Sequence, residues 1–465
     1  MSRIVVKFQE CFKPPYHPDS ELKDFFSQSN IPGIEKLFEI FPGIIIKNLF
    51  HSINPERIRD LMNQAGKLDP AYQAHDLLSY FAIDCPPEIR TQELLEKLSQ
   101  YTGVESSYLE TGSYSPPVWY KDFEIPVWGQ EYLNPAPQGI DAKYAWGFPG
   151  GDGTGKVQFI DIEKGWILNH EAIQISRIPL TGTNRTAYAD HGAGVLGIIM
   201  MRPNDEGAIG IVPMSKGYVI SQYRSDGSLN TADAILAAID HLHFGDILLL
   251  EAQVLDSGKN NNLLPVEIHD AIYSVIRLAT ALGIIVIEAG GNGNLNGNEG
   301  YDLDQFMLNG KKLFDPNSPD FRDSGAIFVA ASSHTMPYKR ISFSNYGKRM
   351  NCFAWGESVL TAGDHRGYSG LATNTYTGNF GGTSSATAII AGAAIALQSI
   401  KEANHHSRFN SSQMRKILSD HSNGTPSANG SMTDKIGVMP DLKRIIEQEI
   451  GILSYSQLCE KQVSY

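Results

Sequence analysis

Apolar and polar positions along the chain fall into two regimes. As far as about Thr111 they form short alternating pieces: a strand-like Ile4 to Phe8, a helix-like Glu21 to Gln28 and an apolar run from Phe41 to Phe50. A strand is predicted over Leu78 to Ile83. A helix over Thr91 to Tyr101 follows, with Leu94, Leu95 and Leu98 on one face, and an extended piece at Ser106 to Glu110 completes a β-α-β pattern. A compact α+β domain over residues 1–111 accounts for these. Residues 112–137 carry Pro116, Pro117, Pro126, Pro135 and Pro137 among aromatic residues, so they read as an extended linker, because proline disfavours helix and central strand alike.

Residues 138–465 change pattern. Lys156 to Asp161, Asp246 to Glu251, Ile284 to Glu288 and Ala326 to Ala331 are short apolar runs of the kind found in parallel strands buried on both faces. Between them lie helical patterns at His191 to Met201, Thr231 to His243 and Pro265 to Leu282. The alternation predicts an α/β domain, a parallel sheet with helices on both faces, with its site at the carboxyl ends of the strands.

A length of 465 residues is consistent with two domains, and 42% hydrophobic with 19% charged residues is the composition of a globular protein that folds in water. The formal net charge of −13, without a basic run, argues against nucleic acid as a partner. No apolar segment reaches the length of a membrane span without interruption, and the amino terminus lacks the pattern of a cleaved secretory signal. The expectation is a cytoplasmic chain, or one exported without such a signal. Cys11, Cys85, Cys352 and Cys459 are scattered, which suggests neither a zinc site nor a disulfide framework and reads as buried free thiols.

Four residues stand out chemically. Asp161 closes an apolar strand, where the mouth of a sheet can hold a carboxylate. His191 opens the small-residue helix His191-Gly192-Ala193-Gly194. Ser384 lies in Gly381-Gly382-Thr383-Ser384-Ser385, before the apolar run Ala388 to Leu397, where a helix start favours developing negative charge. Asn292 follows Glu288-Ala289-Gly290-Gly291 at another strand end and offers an amide donor. Singly these read as a strand-end cap, a satisfied histidine, a helix N-cap and a turn. Together they supply a nucleophile, a base, an orienting acid and an oxyanion donor.

The order Asp161, His191, Asn292, Ser384, each in its own motif, resembles the subtilisin-like serine peptidases. The resemblance covers about Gln138 to at least Leu397. It includes the Gly151 to Gly165 strand, Gly207-Ala208-Ile209-Gly210-Ile211-Val212-Pro213, Phe343-Ser344-Asn345-Tyr346-Gly347 and the Ser384 helix. Departures are Ile162 and Glu163 where a small residue and glycine usually follow the acid, Ala193 and Gly194 after the histidine, Trp355 in place of proline, and Ala388 in place of proline. The resemblance implies a subtilisin-like α/β fold preceded by a prodomain-like α+β unit. It implies catalysis by Asp161, His191 and Ser384 with Asn292 in the oxyanion hole, a peptide or protein substrate, no required cofactor, and self-processing within 112–137. It also implies that the amino-terminal domain serves as an intramolecular chaperone or inhibitor.

By the same resemblance, Glu251, Ala252, Gln253, Glu288, Ala289 and Gly290 line the substrate groove. The two glutamates either select a basic substrate side chain or turn inward to bond within the protein. Asn292 to Asp323 offers oxygen donors for calcium but no regular ligand spacing, and reads as a solvated loop. The reaction expected is endopeptidase hydrolysis through an acyl-enzyme on Ser384. A transpeptidase or peptide macrocyclase, which passes the acyl group to an amine, is the alternative, and a binding protein on an inactive scaffold is the reading from a different class.

Overall fold

The computed structural model describes residues 2–12, 14–16, 22, 25, 35–110, 130–173, 180–203, 208–256, 261–295, 299–363 and 372–452. Most of the expected helix at Glu21 to Gln28, most of the proline-rich linker and Cys459 lie outside these residues.

The amino-terminal residues form a four-stranded antiparallel sheet in the order β2-β3-β1-β4. It is built from β1 (Ser2–Phe8), β2 (Ile45–Asn48), β3 (Tyr80–Cys85) and β4 (Val104–Glu110), with α1 (Pro55–Leu68) and α2 (Thr91–Leu98) between strands. α1 follows from its sequence: Asn54 caps it by accepting from the Arg57 N–H at 2.8 Å, Pro55 suits the first turn, and Ile58, Leu61 and Ala65 are its buried stripe.

The larger body is a nine-stranded sheet in the order β6-β7-β5-β8-β11-β13-β14-β18-β17. Its strands are β5 (Gln158–Glu163), β6 (Leu180–Thr181), β7 (Lys216–Ser221), β8 (Ile247–Leu250), β11 (Ile285–Ala289), β13 (Ile327–Ser332), β14 (Cys352–Trp355), β17 (Gly424–Pro426) and β18 (Val438–Pro440). All neighbours pair in parallel except β17 with β18. α3 (Ala189–Met200) and α6 (Gly382–His405) cover one face; α4 (Thr231–His241) and α5 (Asp270–Ala281) cover the other. At the carboxyl end sit β9 (Gln253–Leu255), β10 (Asn262–Pro265) and β12 (Gly293–Asn294), paired antiparallel. β15 (Val359–Ala362) and β16 (Tyr376–Phe380) form a second antiparallel pair.

α6 has the length and apolarity of a membrane span, yet its most apolar stretch is 100% buried inside the protein. Its hydrophobicity is that of a core helix surrounded on all sides. Among the thiols Cys85 and Cys352 are buried and free, as expected, whereas Cys11 is free but exposed.

One strand departs from expectation in a way that matters. β5 runs over Gln158–Glu163, two residues beyond the anticipated end at Asp161, so Asp161 is interior to the strand and Glu163 closes it. The parallel partner β7 stays paired through Glu163↔Ser221 and carries the strand forward.

The two units meet across α4 and α5. Asp233, fully buried on α4, accepts the backbone N–H groups of His51 (2.8 Å) and Ser52 (3.0 Å), the Ser52 hydroxyl, and Arg224 Nε (2.8 Å). Asn230 Nδ2 donates to the Leu49 carbonyl at 2.7 Å. Around this anchor Tyr80 bonds Ser274 at 3.2 Å, Arg57 bonds Asp240 at 2.7 Å, Arg277 bonds Asp69 at 2.5 Å, and the Tyr108 ring stacks on His269 at 4.3 Å. Asp233 with Arg224, Arg57 with Asp240 and Arg277 with Asp69 are thus paired at the seam, and for the buried first pair this offsets the cost of taking the charges out of water.

Candidate active site

Three elements converge at the carboxyl end of the sheet. α3 presents His191 from its first turn, α6 presents Ser384 from its first turn, and β5 ends beneath both. α6 begins at Gly382, well ahead of the anticipated apolar run, so Ser384 lies inside the helix and not before it. Gly382 sits at φ +86°, a conformation that favours glycine, and lets the chain turn sharply into the helix. The small residues after His191 are equally local in purpose: a Cβ on Gly192 would lie 2.3 Å from the Gly165 carbonyl oxygen. Any larger residue would push α3 off the loop beyond β5.

His191 Nε2 lies 3.1 Å from Ser384 Oγ, and His191 Nδ1 lies 2.5 Å from Glu163 Oε1. A carboxylate can only accept, so the proton sits on Nδ1 and leaves Nε2 free to take the hydroxyl proton of Ser384. The imidazole is buried, with its ring 5.6 Å from that of Phe380.

The carboxyl that meets the histidine is therefore Glu163, which corrects the expectation for Asp161. Asp161 Oδ2 instead accepts the Trp166 indole N–H at 2.7 Å, and its Oδ1 has no hydrogen bond. Alternation along a strand puts residues 161 and 163 on the same face, and the extra pair of residues carries Glu163 to the edge where α3 begins. Burial, and then the nearby charge of Glu163, hold the Asp161 carboxyl well above the usual carboxylate range. The clue was present: the small residue and glycine usual after the acid are missing, and an acidic side chain stands in their place. Trp166 carried no such signal.

Asn292 is held as an oxyanion donor would need to be. Its Oδ1 accepts the Thr383 N–H (2.9 Å) and hydroxyl (3.0 Å), and its backbone N–H donates to Gln253 Oε1 at 3.0 Å. The amide Nδ2 is buried and has no partner among the described residues, which leaves it as the donor. The Ser384 N–H lies in the first turn of α6, where no carbonyl of the helix can accept it. Thr383, overlooked in the sequence, decides which way the Asn292 amide faces.

The groove residues divide. Ala252 and Gln253 follow β8, with Gln253 committed to Asn292. Ala289 ends β11, and Gly290 has its N–H on the Val329 carbonyl and its carbonyl on Asn345 Nδ2, both at 2.8 Å. Glu288, 0% exposed, faces Glu267, whose N–H lies 3.4 Å from it and whose carboxyl is bonded by Ser324. Burial and the second carboxyl push Glu288 well above the usual range, with Arg349 opposing. Glu251 is 2% exposed and turns to Ser384. Both side chains are buried among the described residues, Glu288 against Glu267 and Glu251 towards Ser384. In the Asn292 to Asp323 stretch, Asp302 and Asp304 form ion pairs with Lys435 at 3.0 and 2.9 Å.

A model of the subtilase family matches residues 169–438. The match starts beyond Asp161 and Glu163, so the choice of acid rests on geometry. A comparison with curated proteins finds no match. Among solved structures, the prenylagaramide maturation protease PagA is similar, at 19% identity and a TM-score of 0.46, over 66% of this chain and 97% of that one. The family match spans more than half of the 465 residues and contains both His191 and Ser384; the chain belongs to the subtilase family of serine peptidases.

Proposed function

We propose that the protein is an endopeptidase that forms an acyl-enzyme on Ser384. His191 takes the serine proton and returns it to the leaving amine, Glu163 orients the imidazole and stabilises its charge, and Asn292 Nδ2 with the Ser384 N–H binds the oxyanion. The observation that carries this reading is the continuous chain Glu163 Oε1, His191, Ser384 Oγ, with spacings of 2.5 and 3.1 Å, beside an amide nitrogen that has no partner.

The amino-terminal unit acts as a prodomain. Its docking on α4 and α5 through Asp233, and its last strand leading into 111–129, support a substrate-like passage of the linker through the groove and self-cleavage there. Val118, Trp119 and Tyr120, the residues suited to fill pockets, lie outside the described residues.

Intact-mass analysis of purified wild type beside Ser384→Ala, each with and without an active-serine probe, tests the proposal. Expected are a probe adduct on wild type alone and two fragments of wild type that sum to the full chain plus one water. An unlabelled wild type would overturn the serine reading. A Ser384→Ala protein cut in the same way would overturn self-processing, and peptide products lacking the added water would mark ligation in place of hydrolysis.

A further inference from the structure

The serine has a second buried neighbour. β5 and β8 pair in parallel with Ile162 beside Leu250, so Glu163 and Glu251 stand next to each other at the ends of adjacent strands. Alternation places both on the face covered by α3 and α6. Glu163 reaches His191. Glu251, one strand across, lies beside the Ser384 hydroxyl, and neither of its oxygens makes a hydrogen bond of good geometry. Among the described residues, the titratable groups that act on it are Asp161 and Glu163 from β5; Ser384 comes from α6, with His191 of α3 on the serine's other side.

Carboxyls this close and this buried do not all ionise, since each charge lacks water and repels the others. Of the three, Glu163 alone faces an imidazole. Burial, then Glu163 and Asp161, hold Glu251 well above the usual glutamate range.

We propose that Glu251 is a second working carboxyl of the reaction centre, a neutral acid that donates its O–H to Ser384 Oγ and so leaves the serine proton pointing at His191 Nε2. The protonation state decides the direction of the serine hydrogen. A neutral Glu251 donates, and the hydroxyl is free to donate in turn to the imidazole. An ionised Glu251 can only accept, so it draws the hydroxyl hydrogen away from His191 and sets a negative charge beside the developing oxyanion. Loss of this one proton to solvent at raised pH switches off attack. The inference rests on Ser384 being the nucleophile, and it adds an alkaline limit that the His191 base would not impose.

The test is the second-order rate of Ser384 labelling by an active-serine probe across pH, for wild type, Glu251→Gln and Glu251→Ala, with peptide mapping of the adduct. Wild type should show a bell, with an acid limb set by protonation of the base and an alkaline limb set by Glu251. Glu251→Gln keeps a donor that cannot ionise, so its labelling rate should level off at high pH where the wild-type rate falls. Glu251→Ala should lose about tenfold at the optimum and also lack the limb. Superposable profiles for wild type and Glu251→Gln, or for wild type and Glu251→Ala should the glutamine variant not fold, overturn the inference and leave the serine reading intact. Failure of wild type to label at Ser384 at any pH overturns both.

Discussion

Exchanging Glu163 and Asp161 for their amides separates the two candidate acids. In Glu163→Gln the charge facing His191 Nδ1 is lost from a site where the side chains are only 1% and 4% exposed. Two opposite charges about 4 Å apart at an effective dielectric of about 20 attract by about 4 kcal/mol, and the imidazolium formed during attack forfeits that. At about 1.4 kcal/mol per tenfold, turnover falls about 10³-fold. Tautomer error adds to the loss. Glu163 Oε2 has no hydrogen bond to hold an amide in place, so a glutamine is free to present its NH2 to Nδ1 and move the ring proton to Nε2, where it blocks the serine. A drop of about 10³ to 10⁴ is expected. Asp161 is bonded to Trp166 and not to His191, so Asp161→Asn keeps an acceptor for the indole and should lose less than about tenfold. The assay is kcat on a fluorogenic peptide together with the probe-labelling rate at fixed pH, with thermal melting as a folding check. Should Asp161→Asn lose three orders of magnitude while Glu163→Gln stays within tenfold, the reading of the acid is wrong.

Asn292→Ala removes the free oxyanion donor and should lower kcat by about two to three orders of magnitude with little change in melting temperature; an unchanged kcat would remove Asn292 from the mechanism. The raised carboxyl of Glu288 gives a stability prediction with a definite sign. The folded chain keeps a proton that the unfolded chain releases, so stability falls as pH rises above the ordinary glutamate range towards the folded value. Glu288→Gln should therefore melt higher than wild type at pH 7.5, with the gap shrinking towards pH 4.5, and a gap independent of pH would refute that cause. Asp233→Ala leaves Arg224 without its buried partner and frees the N–H groups of His51 and Ser52, a loss of about 3–5 kcal/mol at the seam. After cleavage within 111–129, gel filtration should find the amino-terminal fragment bound in wild type and separated in this variant; equal retention would show that the anchor is dispensable.

Much of this protein was written locally and could be read in one dimension. The runs at 246–251, 284–288 and 326–331 became β8, β11 and β13 with shifts of only a residue or so, because strands buried on both faces are apolar throughout. His191, Asn292 and Ser384 were visible because each sits where backbone sterics limit the sequence. A glycine must follow His191 for α3 to meet residue 165, and another must turn the chain into α6.

The acid was not legible in the same way. Asp161 and Glu163 share a face, and which one meets the imidazole depends on how far β5 remains paired with β7 and where α3 starts, both of which are set by packing between segments far apart in the chain. The same holds for the strand-end glutamates. Sequence placed Glu251 and Glu288 at the mouth of the sheet. Only the tertiary structure turned Glu288 onto Glu267 and Glu251 onto Ser384, because a side chain's partners at a strand end come from neighbouring strands and helices and not from its own segment. Asp233 is the extreme case: in sequence it is an ordinary acidic residue in a helix's first turn, and its four hydrogen bonds come from Arg224 nearby and from His51 and Ser52, which arrive when the amino-terminal sheet docks.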